Sequence, residues 1–162
     1  MCSRFEQAGQ AIRPTDFATV LLAAGEARLR WGLAVSWDKR PLINARAETL
    51  ASRPTFRALL GRRCVVPAGA WWEWQGKRRF RLGLEDGTEM GFAGLFDGDA
   101  FVVVTRPAHP ALADIHDRMP AVLSENGRQA WLNQDPADAV LTEPDLTYAG
   151  IPDGDDRQGE LF

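Results

Sequence analysis

The sequence predicts an α+β fold with a sheet or barrel core, and three observations carry that expectation. The segment 28–37, "RLRWGLAVSW", alternates apolar and polar or small residues with a strict period of two. Five further β-rich runs crowd residues 62–105, separated by Gly-containing turn signals. Only short stretches carry helical signals, at Pro54 and after Ser124.

Each element follows from local chemistry. In 28–37, Leu29, Trp31, Leu33, Val35 and Trp37 form one face and Arg28, Arg30, Gly32, Ala34 and Ser36 the other, so one side is expected in the core. In "PTFRALLG", Pro54 suits a first helical position, Phe56, Leu59 and Leu60 share a face, and Gly61 is the expected cap. "RCVV", "AWWEW", "KRRFRLGL", "MGFAGLF" and "AFVVVT" then read as strands joined by "QG", "EDGT" and "DGD". Turns of that kind join hairpins, so an antiparallel meander is expected. Ser124 before "ENGRQAWL" is the expected cap of a helix burying Trp131 and Leu132.

At 162 residues and 45% hydrophobic, the chain is the size of one domain that buries most of its apolar surface. No apolar run approaches the roughly 20 residues of a membrane span, and residues 1–15 lack a secretory apolar core. A cytoplasmic protein is expected, with no membrane partner. Two cysteines, Cys2 and Cys64, make no disulfide framework, and two histidines, His109 and His116, make no zinc cluster. No metal and no cofactor is therefore expected.

The net charge of −3 is unevenly placed. Residues 143–162 hold six of the 22 acids and one of the 19 bases, so the body before them is mildly basic. Residues 1–142 are expected to form the globular domain. The Pro/Gly/Asp-rich tail 143–162 is expected to be disordered or loosely docked.

Four groups carry candidate chemistry. Aminopeptidases remove Met1 when a small residue follows, which turns Cys2 into a 1,2-aminothiol. Its α-amine, with a reference pKa near 7.7–8.0, is far more nucleophilic at pH 7 than a lysine. That amine condenses with an aldehyde, and the thiol closes on the imine carbon to give a thiazolidine. From position alone the plainer reading is an inert small residue. In "INARAE", Asn44 offers an amide and Arg46 lies two residues on, where a turn residue and a solvated arginine are the plainer readings. In "WWEW", Glu73 lies among three tryptophans, sharing a face with Trp71 if extended. Burial there raises a carboxyl pKa towards neutrality, and the alternative is a solvent-facing or arginine-paired glutamate. In "HDRMP", His116 exchanges protons near pH 7 and Arg118 suits an anion, unless both are simply structural. "KRRFR" reads either as a solvated strand face or as a single-strand-binding surface.

In this order, "MCSRF", "WGLAVSW", "INARAE", "RRCVVPAGAWWEW", "AGLFD" and "IHDRMP" resemble the SOS-response-associated peptidase (SRAP) family along most of residues 1–132. The resemblance implies a single compact α+β domain with an antiparallel, barrel-like β core and a few short helices, and it makes residues 1–142 the catalytic domain. It implies a monomeric, nucleoid-associated enzyme that binds single-stranded DNA and captures abasic sites covalently, with possible lyase and self-processing peptidase activities. It makes Cys2 the nucleophile, Asn44 a partner of the captured sugar, Glu73 the proton-transfer carboxylate and His116 an aid to Schiff-base chemistry. Arg4, Arg46 and Arg118 become phosphate contacts and Trp37 a base-stacking wedge. The chain departs from the family pattern in having Ser3 where glycine is usual. It also lacks an "N.AP" stretch in residues 6–27. Bottom-up chemistry leaves two other readings open, an N-terminal-nucleophile amidohydrolase and a noncatalytic single-strand binder.

Overall fold

The computed structural model describes residues 2–155. It opens with two hairpins. β1 (Phe5–Gln7) turns into β2 (Gln10–Ile12) through Ala8 and Gly9, at φ 50° and 77°. Two positive φ values give the turn the twist that flanking strands favour. β3 (Phe17–Leu22) then pairs antiparallel with β4 (Gly25–Trp31).

The period-two run at 28–37 is not one strand. It is cut at Gly32, whose φ of 136° suits only glycine and whose added Cβ would press on Pro41 at 3.0 Å. Beyond the cut lies a small hairpin, β5 (Leu33–Val35) and β6 (Asp38–Leu42), with Ser36 and Trp37 at its tip. Trp37 is therefore 67% exposed, while Leu29 and Trp31 are in the core as expected.

β7 (Asn44–Arg46) runs into a 3-10 turn at Ala47–Thr49 and then α1 (Pro54–Arg57). Pro54 sits in the first turn, and Phe56 and Leu59 are buried. The helix ends at Ala58 rather than at Gly61.

All five expected strands follow: β8 (Arg63–Ala68), β9 (Ala70–Gln75), β10 (Arg78–Leu84), β11 (Met90–Asp97) and β12 (Ala100–Pro107). They do not form one meander. "QG" and "DGD" close the β9–β10 and β11–β12 hairpins, but "EDGT" carries the chain from one sheet to another and β8 pairs with β11. β13 (Arg118–Pro120), β14 (Val122–Leu123), α2 (Glu125–Leu132), α3 (Ala137–Val140) and β15 (Tyr148–Asp155) complete the described chain. As expected, Ser124 caps α2 by accepting from the Gly127 amide at 3.0 Å, and Trp131 is fully buried.

β12–β4–β3–β8–β11 and back to β12 form a closed ring of hydrogen-bonded strands, which gives the barrel-like core. The ring strands are apolar on both faces because they separate two clusters. Cys64, Val66, Phe92, Phe101 and Val103 point into one, with Phe5, Trp31 and Trp71. Val65, Leu95, Val102 and Val104 point into the other, against Phe56 and Trp131 from the helices and Leu59 just beyond α1. Strands covered on both sides lose the apolar-polar alternation.

The second sheet has the order β15–β10–β9–β1–β2. Here the tail differs from expectation: residues 148–155 are the edge strand β15, paired with β10 from Leu84↔Tyr148 to Arg78↔Asp155. Tyr148 supplies the missing apolar anchor, since it is buried in the core against Trp71. Residues 156–162 of the acidic tail lie outside the described residues. Among the described residues, no helix is long and apolar enough to cross a membrane.

Candidate active site

Four separate segments meet at Cys2. β1 pairs with β9 through Phe5↔Trp71, and the Trp72 amide donates to the Arg4 carbonyl at 3.0 Å. Residues 2–4 therefore run beside 72–74, towards Glu73. Cys2 itself is fully buried.

Asn44 arrives from the ring. The Trp31 indole N–H donates to the Ile43 carbonyl at 2.9 Å, and the Val103 amide donates to the same carbonyl at 2.9 Å. Thus anchored, Asn44 opens β7 and donates from Nδ2 to the Cys2 carbonyl at 2.8 Å. Its Oδ1 is buried with no hydrogen-bond partner among the described residues. A buried amide oxygen left in that state is an acceptor held ready for a donor.

Glu73 shares the inner face of β9 with Trp71, as the strand period predicts, and is only 2% exposed. Phe80 lies directly across from it on β10. Burial pushes its carboxyl up to about 7, so both protonation states are populated at neutral pH. Burial also pushes the Cys2 thiol up, and the Glu73 carboxylate adds to that rise, while the Arg4 backbone N–H favours the thiolate.

His116 enters just before β13, with Nε2 3.8 Å from Glu73 Oε2. The Arg118 amide donates to His116 Nδ1 at 3.1 Å. A backbone amide can only donate, so Nδ1 is the acceptor and the neutral ring carries its proton on Nε2, facing Glu73. Asp117 Oδ1 also comes within 3.3 Å of Nδ1, but this carboxylate is 89% exposed and screened by water. Burial lowers the His116 pKa, which favours that neutral form.

The cationic and aromatic candidates are spread around this centre. Arg4 lies over the Trp74 ring at 5.2 Å. Arg46 is exposed and, with Trp37, Asn44, Arg53 and Phe56, lines a groove of about 530 Å3, in which Asn44 is the one residue of the centre. Arg53 is a candidate that local sequence reasoning missed, because its only signal is the groove. Arg118 is turned into the protein: Glu48 holds its guanidinium at 2.7 and 3.2 Å and Thr105 Oγ1 accepts at 3.0 Å. The glutamate that ends "INARAE" thus clamps the arginine of "HDRMP". Ser3 is half-buried beside Cys2. Cys64 is fully buried in the ring core and takes no part.

Comparison with known proteins follows the same residues. The family model "SOS response associated peptidase (SRAP)" matches residues 1–148. The chain is 35% identical over 153 residues to "Abasic site processing protein YoqW" of Bacillus subtilis, covering 81% of this chain and 66% of that one. It is 36% identical over 119 residues to YedK of Escherichia coli, also named an abasic site processing protein, covering 65% and 54%. The chain spans between about half and two thirds of the length of these relatives. Among solved structures, a phage-related protein from Bordetella bronchiseptica superposes with a TM-score of 0.76 at 22% identity, covering 94% of each chain. A protein from Bacteroides thetaiotaomicron gives 0.76 at 20% identity, covering 92% and 79%, and both show the shared fold. From its matched length and its relatives alike, the chain belongs to the SOS response associated peptidase (SRAP) family.

Proposed function

We propose that the protein processes abasic sites in single-stranded DNA by forming a thiazolidine crosslink through Cys2. The observation that carries this reading is the convergence of Asn44, Glu73 and His116 on a buried Cys2. Cleavage of the peptide bond before Cys2 exposes its α-amine. That cleavage is the self-processing, peptidase-like step, and an aminopeptidase removing Met1 also suffices.

The neutral amine attacks the aldehyde carbon of the ring-opened sugar, and loss of water gives the Schiff base. The Cys2 sulfur then bonds to the imine carbon, the C=N bond becomes single, and the nitrogen takes up a proton. Each step moves a proton, and Glu73, titrating near 7, is matched to neutral pH as donor and acceptor. It takes the proton of a thiol that burial keeps protonated. His116, with Nε2–H facing Glu73, passes protons to and from the sugar ring oxygen during opening. The Asn44 Oδ1 acceptor meets a sugar hydroxyl. The same Schiff base supports β-elimination, a lyase activity.

Trp37 at its exposed tip wedges beside the vacated base position, and Arg4 and Arg46 meet flanking phosphates. Arg118 meets a phosphate only by sharing or releasing Glu48. The protein acts as a monomer on nucleoid DNA in the damage response.

The test incubates the protein with an abasic oligonucleotide and resolves a heat-stable adduct on a denaturing gel. Loss of the adduct in Cys2→Ala is expected. No adduct with the unaltered protein, or one that persists in Cys2→Ala, overturns the reading.

A further inference from the structure

Apart from Phe80, which lies across from Glu73, the "KRRFR" strand has no part in the centre described above. Its side chains alternate: Phe80 and Leu82 are buried inward, while Arg79 and Arg81 face the opposite side of the sheet. On that outer face Arg79 stands across from Trp74 and Arg81 across from Trp72. Arg81 lies 5.5 Å from the Trp72 ring centroid, and Arg4 lies 5.2 Å from that of Trp74. On the far side Arg81 stands across from Ile151, which is 63% exposed. Three strands thus present two half-buried indoles flanked by guanidiniums, with an apolar rim.

Two carboxylates already touch this face. Glu6 holds Arg81 at 2.6 and 3.1 Å. The Asp153 carboxylate accepts from the Trp72 indole N–H at 2.7 Å and lies 3.7 Å from Arg79 Nε, which itself donates to the Asp153 backbone carbonyl at 2.9 Å. An acid lodged between an indole N–H and a guanidinium stands where a phosphate oxygen finds a donor and a countercharge. Arg4, two residues from Cys2, joins this face to the buried centre.

We propose that the outer face of β1, β9 and β10 is a second single-stranded DNA platform, which Asp153 of the C-terminal strand partly occupies in the free protein. Bases stack on Trp72 and Trp74, and Arg79 takes a phosphate when Asp153 gives way. The face extends the strand path beyond the abasic site. It rests on the proposed function only for what lies at the other end of that path.

The test measures binding of undamaged oligothymidylates, so that it does not depend on adduct chemistry. The lengths are the two ends of the ~4–16 nucleotide range that single-strand sites cover. On the long oligonucleotide, Arg79→Gln should weaken binding by about 3–10-fold at low salt and flatten the log K against log salt slope by about 0.7, one phosphate contact. Asp153→Asn, which keeps an acceptor for Trp72 but removes the charge, should tighten it several-fold. On the short oligonucleotide neither should change binding, and Arg79→Gln should still form adduct on a short abasic substrate. Unchanged affinity and slope in both variants overturn the platform, as does an equal effect on both lengths. Tight binding of poly-glutamate that competes with the long oligonucleotide, and is lost in Arg79→Gln, overturns it in favour of an acidic protein partner. Urea midpoints of both variants confirm folding, and Asp153→Asn carries the test alone if Arg79→Gln unfolds. Absence of any adduct with normal length-dependent binding overturns the proposed function and leaves the platform standing.

Discussion

Replacing Glu73 by glutamine should stabilise the protein, and only where the glutamate would be ionised. The carboxyl is 2% exposed, faces Phe80, and titrates near 7 rather than at its ordinary 4.5. Its folded pKa is the higher one, so the native state holds the proton more tightly than the unfolded chain. Below pH 4.5 both states are protonated and no penalty exists. Between 4.5 and 7 the unfolded chain ionises first and stability falls as pH rises, and above 7 the full penalty applies. A shift from 4.5 to about 7 corresponds to about 3 kcal/mol at 1.36 kcal/mol per unit. Glutamine is isosteric and removes this dependence, so the stability difference between variant and parent should grow from near zero at pH 4 to about 3 kcal/mol at pH 8. For a domain of this size that is roughly 6–12 °C in melting temperature. Urea unfolding at each pH measures it, and other carboxylates cancel in the difference. A difference that stays flat from pH 4 to 8 refutes the assignment of a buried, desolvated carboxyl, and with it the argument that Glu73 is poised for proton transfer. The same variant should slow adduct formation, so stability and activity move in opposite directions.

Two other substitutions separate structure from chemistry. Asn44→Ala removes the 2.8 Å hydrogen bond to the Cys2 carbonyl and should lower stability by about 1–2 kcal/mol while slowing adduct formation, measured by urea unfolding and single-turnover gel assay. Trp37→Ala, at a 67% exposed tip, should change stability by less than about 0.5 kcal/mol. It should nonetheless weaken binding to an abasic oligonucleotide by about 1–3 kcal/mol if the indole stacks on a base, as fluorescence titration will read.

The strands between 62 and 105 were legible because β-branched and aromatic residues crowd there. Their pairing was not, because residues 64–66 and 101–104 are apolar on both faces and period two cannot say which neighbour each strand meets. The first hairpin was hidden because Ala8–Gly9 takes two positive φ values without the Asn-Gly signal that usually marks them. Gly32 broke a perfect alternation for a reason that lies 9 residues away at Pro41. The tail strand depends on Tyr148 reaching Trp71, a contact no local composition reveals. For the candidate site, the sharing of one face by Trp71 and Glu73 followed from strand period alone, and burial among aromatics anticipated a raised carboxyl pKa. The clamp of Glu48 on Arg118 was not legible, although both residues lie in quoted motifs, because 70 residues separate them.

That clamp ties the two motifs together physically. β7 and β13 both pair with β12, through Thr105↔Arg46 and Thr105↔Pro120, so Thr105 lies where the two strands meet. Its hydroxyl accepts from Arg118, and Glu48, just beyond β7, closes the other side of the guanidinium. Asn44 and His116 are the residues two positions before Arg46 and Arg118. Fixing Arg118 therefore fixes the backbone amide that sets the His116 tautomer, while the same ring strand fixes the start of β7 and with it the Asn44 amide. Glu73 and Cys2 come from the other sheet, joined to each other through the β1–β9 pairing. The centre is thus a seam between two sheets, each of which orients two of its four groups. A seam of this kind keeps a carboxyl dry without burying it in a single core, and on the Asn44 side it borders the open groove of Trp37 and Arg46.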